Sequence, residues 1–130
     1  MCHDHVYLRS RWDRIAIGIR CAYNPWLPPV ILHYLEAGRR LVKSGAMDET
    51  VVQRRMLTVL LQTAGDEALP WCWRAACLES TVRPRARLAT LLGDNDTGTR
   101  ESLEEAVQFA QVRLDAALLT GGHVSAKSPF

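Results

Sequence analysis

Apolar residues return at every third or fourth position along most of the chain, the spacing of an amphipathic helix rather than the alternation of a strand. The cleanest run is from about Thr99 to Leu119, where Leu103, Ala106, Val107, Ala110, Leu114, Ala117 and Leu118 form one stripe. Glu101, Glu104 and Glu105 crowd its first turns, where the helix dipole favours negative charge. Ser102 and Glu105 have capping-box spacing, with Thr99 the other candidate cap. Upstream, Val30, Ile31, Tyr34, Leu35, Leu41 and Val42 predict a helix from about Pro29 to Ser44. Its polar face carries His33, Glu36, Arg40 and Lys43, with Glu36 four residues before Arg40, a pairing distance. Gly38 falls on the apolar side, where a glycine lets another helix approach closely. Asp48 is a good N-cap for a third helix, traced by Val52, Met56, Val59, Leu60 and Thr63, widened by Val51, Leu57 and Leu61, and closed by Gly65. Leu88, Leu91 and Leu92 anchor a short helix that starts at Pro84 and stops at Gly93.

Between these lies Pro70-Trp71-Cys72-Trp73-Arg74-Ala75-Ala76-Cys77-Leu78, apolar nearly all round and carrying a single charge. A helix of that kind is normally buried, and the pattern predicts it as a short central helix with the longer ones packed around it. Trp71 and Trp73, two apart, point about 160° from each other, so only one of them need be fully buried. Trp12 to Tyr23 fits two periods: Trp12, Ile15, Ala16, Ile19, Ala22 and Tyr23 make a helical face, while Ile15, Ile17 and Ile19 alternate like a strand. Helix is the better reading, because no partner strand follows and a lone strand is not stable. Asn24-Pro25-Trp26-Leu27-Pro28-Pro29 is a rigid break. Residues 1–9 are polar and read as loose, and the tail after Gly121-Gly122 reads as mobile.

The expected fold is therefore all-α: a compact single-domain bundle of five to six helices over residues 1–120, with a flexible C-terminal tail at 121–130. At 130 residues, 48% of them hydrophobic, the chain can bury a core without disulfides or metal. No apolar run approaches the roughly 20 residues of a membrane span, and no signal-type segment opens the chain, so a cytoplasmic location with reduced cysteines is the default.

Charge refines the picture. The net +2 conceals a gradient: residues 1–47 carry seven Lys/Arg against three Asp/Glu, and residues 94–130 carry three against six. Lys43 and Lys127 are the only lysines. Arginine's planar fork suits carboxylates and phosphates. Arg83, Arg85 and Arg87 crowd a helix start, where positive charge is unfavourable. Either nearby acids neutralise them, and the 94–105 segment supplies five, or they meet an external anionic partner. The Arg39-Arg40 doublet is a second candidate contact; Arg54-Arg55 reads as a solvated face.

Patterns that carry chemistry are thin. Cys2, His3, Asp4 and His5 are adjacent and cannot by themselves close a tetrahedral metal site. Cys72 and Cys77, five apart on a helix, diverge by about 140°. His33 pairs with neither by any local signature. Asp94-Asn95-Asp96-Thr97-Gly98 resembles a calcium loop only loosely, since its glycine falls one place early; it suits a helix-entry loop. A helix-turn-helix is excluded because the would-be recognition helix, Trp71–Leu78, lacks side chains that read base edges. No catalytic residue, metal or cofactor is expected. The expectation for function is a small non-enzymatic helical interaction protein, an adaptor, regulator or inhibitor that binds another protein or itself, with no role at a membrane. The alternative is binding of nucleic acid or another anionic partner through Arg83, Arg85, Arg87, Arg39 and Arg40.

Overall fold

Every stretch with three-and-four apolar spacing is helical. The structure, a computed structural model, describes residues 2–94 and 96–119, with side chains from residue 5 onward. Six helices follow in order: α1 (Cys2–Arg20), α2 (Pro29–Lys43), α3 (Glu49–Ala64), α4 (Trp71–Glu79), α5 (Val82–Leu92) and α6 (Thr97–Leu119). No strand occurs among the described residues, so the ambiguous Trp12–Tyr23 stretch belongs to α1 and the turn after it. No described helix is long and apolar enough to cross a membrane.

Three boundaries differ from the sequence expectation. Residues 2–9, expected to be loose, continue α1: Leu8 sits four before Trp12, packs against the core on the same face, and His5 Nε2 hydrogen-bonds the Ser44 carbonyl at 3.1 Å. The linker before Pro84 is already helical from Val82, with Pro84 in the first turn, where its missing N–H costs nothing. α6 starts at Thr97, because Asp96 Oδ1 accepts the Thr99 N–H at 3.1 Å; Asp96 is the cap, not Ser102 or Thr99. Those bonds from Thr99 hold the Asp96 carboxyl below its ordinary pKa. The expected tail at 121–130, and the side chains of Cys2, His3 and Asp4, lie outside the described residues.

Packing is tightest where α1, α2 and α3 converge. The Trp12 and Tyr34 rings stack with centroids 5.5 Å apart. A Cβ on Gly38 would lie 2.7 Å from Met56 Sδ, 3.1 Å from Val52 Cγ1 and 3.2 Å from Trp12 Nε1. Only glycine lets α2 come this close, as the sequence indicated. Gly45, with φ +80, then turns the chain out of α2, and the Asp48 carboxylate caps α3 by accepting the Thr50 N–H at 3.1 Å.

The helix that packs against all five others is α3, not α4. The reason is extent: α3 has 16 residues to α4's 9 and buries Val52, Met56, Leu57, Leu60, Thr63 and Ala64, enough to face neighbours on several sides. α4 acts as a wedge. Trp73 is 1% exposed and its Nε1 donates to the Ile19 carbonyl at 2.9 Å, while the half-buried Trp71 donates to the Leu114 carbonyl at 3.0 Å. One tryptophan is fully buried and the other is not, as their spacing allows.

The α3–α4 turn is clamped by arginines from three helices. Arg74 of α4, 2% exposed, donates Nε to the Ala64 carbonyl at 2.9 Å, at the C-terminal end of α3 where a cation is favoured. Burial lowers its pKa, and Glu67 and Asp66 act in the opposite sense. Arg113 of α6 donates Nε to the Gly65 carbonyl at 3.1 Å and pairs with Glu67 at 3.0 Å. Arg20 of α1 pairs with Asp66 at 3.3 Å.

Candidate docking face

Of the five arginines singled out by sequence, Arg39, Arg85 and Arg87 form ion pairs, and Arg40 and Arg83 form none among the described residues. Arg85 turns toward α6, where its Nη2 donates to Glu104 at 3.1 and 3.4 Å. Arg87 turns toward α3 and forks onto Glu49, with Nη2 2.8 Å from Oε1 and Nε 2.5 Å from Oε2. Those bonds hold the Glu49 carboxyl below its usual pKa. Arg39 lies 3.9 Å from Glu36, one turn back on α2, so Glu36 pairs at three residues rather than with Arg40 at four. Arg40 lines a small cleft with Arg11, His33 and Glu36 and makes no ion pair among the described residues. Arg83 is exposed and also unpaired among the described residues. Internal pairing therefore takes Arg85 as the 94–105 acids suggested, but takes Arg87 through Glu49, an acid 38 residues away.

Arg83 gains its interest from its surroundings. It borders two adjoining grooves that also share Leu35. One, about 410 Å³, runs between α2, α3 and α5 and brings Arg39, Arg83 and Arg87 together with Glu36 and Glu49. The other, about 500 Å³, lies between the start of α2 and the α4–α5 turn, and its lining is mostly apolar: Pro28, Pro29, Ile31, Leu32, Leu35, Ala76 and Val82, with Glu79 and Arg83 as its charged members. Leu32 is 55% exposed and Val82 60%. Just before Pro28, Trp26 and Leu27 are also exposed, Trp26 at 71%. Exposed single hydrophobics are common on protein surfaces, whereas Leu32 and Val82 line one groove.

No known family, curated protein or solved structure matches this chain. The site must be read from its own chemistry.

Sequence reasoning missed the apolar half of this face. Leu32 sits off the buried stripe of α2, on the side toward His33 and Glu36, and Val82 precedes Pro84, where the sequence predicts the helix to start. The signal available was negative: two large aliphatic residues and a tryptophan with no place in any stripe.

The cysteines do not converge. Cys77 is buried and its thiol is pushed up to about 12 by burial, while Cys72 is exposed on α4. Neither is hydrogen-bonded to His33, which is exposed. No group of three potential metal ligands is present among the described residues.

Proposed function

We propose that this protein is a non-enzymatic helical interaction module, an adaptor, regulator or inhibitor, that docks another protein molecule, of its own kind or a different one, on the face formed by α2, the end of α4 and the start of α5. The observation that carries the reading is the groove around Leu32 and Val82: apolar, uncovered, and bordered by an arginine with no partner among the described residues. Protein interfaces have this anatomy, an apolar centre with a polar rim, and tryptophan and arginine are the side chains most enriched among those that dominate binding energy.

A comparison of captures tests it. Tagged chain is recovered from its native host, and captured proteins, untagged copies of the chain included, are compared for the native sequence, Val82→Glu, and Val51→Glu on an exposed site of α3. Proteins held by the native chain and by Val51→Glu but lost from Val82→Glu support the reading. Identical captures from all three overturn it.

The nucleic-acid reading stands second, carried by Arg83 and Arg40, which have no ion pair among the described residues. Phosphate contacts make affinity fall steeply with salt. Salt-sensitive retention on DNA or RNA that is lost in Arg83→Gln would favour it over protein docking.

A further inference from the structure

We propose that the molecule this face accepts is a second copy of the chain, related to the first by a two-fold axis passing close to Val82. The inference rests on the reading of this face as a docking surface and names its occupant.

Two charged residues border the apolar groove, and they have opposite signs: Glu79, the last residue of α4, and Arg83, the second residue of α5. Each sits at the helix end that disfavours its own charge, a carboxylate where carbonyls converge and a guanidinium where N–H groups converge. They lie on either side of the short Ser80-Thr81 turn, yet no ion pair within 4.0 Å joins them or engages either with another described residue. Both are exposed. Both therefore gain from a counter-charge brought from outside, and the two counter-charges needed differ in sign.

A two-fold contact supplies both at once. In such an interface a surface meets itself, so that residue i of one copy faces residue j of the other and the reverse. Arg83 of each copy then meets Glu79 of its mate, two equivalent ion pairs flanking the axis. Between them Val82 and Leu32 come together from both sides, and Ala76, small and on the floor of the groove, leaves room for a side chain of the facing copy. A nucleic acid, or a uniformly acidic protein segment, would satisfy Arg83 and leave Glu79 facing like charge. The mixed rim favours a partner with the same mixed rim.

The test is a charge swap read by sedimentation or light scattering over a concentration series reaching the millimolar range. The native chain is expected to dimerise with rising concentration. Glu79→Arg and Arg83→Glu, each of which sets like charges against each other twice, should each weaken the dimer roughly tenfold or more. The double swap, Glu79→Arg with Arg83→Glu, should restore it. A mixture of the two single variants should also associate, since one then presents two positive charges and the other two negative. Helicity that matches the native chain and a melting temperature of the monomer equal to or slightly above it, since each swap puts the favoured charge at its helix end, separate loss of association from loss of fold. A chain that stays monomeric throughout, or a dimer indifferent to the swaps, overturns the proposal. The docking reading itself is then judged separately, by the Val82→Glu captures, where proteins other than the chain would still depend on this face.

Discussion

Gly38 and Val82 occupy opposite extremes of the same bundle. At Gly38 three helices leave no room for one more carbon atom; at Val82 an aliphatic side chain is 60% exposed on the surface of the described residues. Both positions lie on helices that rest against α3, so the difference is not one of distance from the centre of the fold. It lies in how much of each helix's apolar surface the chain itself can cover. α2 meets both α1 and α3. α5 packs chiefly on α3 and leaves Val82 exposed on its outward face. The contrast separates residues that hold the fold from residues the fold presents.

The sharpest way to break that contrast is to attack the covered side. Trp73→Ala removes a fully buried indole together with its hydrogen bond to Ile19, and should destabilise the protein by about 3–5 kcal/mol, seen as a large fall in melting temperature. If the melting temperature does not move, α4 is a surface element and the assignment of faces is reversed. Gly38→Ala should cost less, about 1–2 kcal/mol. Overpacking against the stiff Val52 and the stacked Trp12 is costly, while alanine's better helix propensity returns part of it and the flexible Met56 can yield. A variant as stable as the native chain would show that the three-helix junction is looser than its distances.

A smaller effect comes from the edge between the two regions. Arg87→Gln removes the partner that depresses the Glu49 carboxyl pKa. A carboxylate whose folded pKa is lowered stabilises the protein above its unfolded pKa and loses that contribution as pH falls through the folded value. The variant should therefore melt slightly below the native chain at neutral pH, and the gap should close as pH falls below the ordinary glutamate range. A gap that persists in acid would mean that Arg87 acts through packing. The smallest effect belongs to the presented side: Val82→Glu and Arg83→Gln should leave the melting temperature where it is or raise it slightly, since each makes the start of α5 less positive. Arg83→Gln may be placed beside Arg85→Gln as a control, since only Arg85 loses an ion pair, the one with Glu104.

Much of the covered side is legible in the sequence because it is local. The stripe of α2, the glycine set within it and the aspartate before α3 each act within a few residues of themselves, and each does what its spacing indicated. The rank of α3 over α4 is not legible in that way. Trp71 and Trp73 draw attention by size, whereas a helix becomes the hub by being long and by having apolar residues on several sides. The stripe of Val52, Met56 and Leu60, widened by Leu57, reads as a single broad face. The cap of α6 is hidden for a related reason: Ser102 and Glu105 match a local template, but the chain becomes helical as soon as Asp96 can accept an N–H. The pairing of Arg87 with Glu49 spans 38 residues and carries no sequence signature. Of the candidate face, only its arginines could be seen in advance; the groove beside Arg83 exists because the turn between α4 and α5 comes to rest next to Pro28 and Leu32.

The four tryptophans divide along the same line and give the protein two separate optical reporters. Trp12 and Trp73 are sealed in the core, Trp71 is half-covered, and Trp26 stands in water just ahead of the prolines that border the groove. Unfolding changes the light emitted by the sealed pair. If the groove is a docking site, its occupation should alter chiefly the emission of Trp26, two residues before Pro28, and its access to a dissolved quencher. In a Trp26→Phe variant the folding signal should remain and any docking signal should be lost, which tells the two events apart.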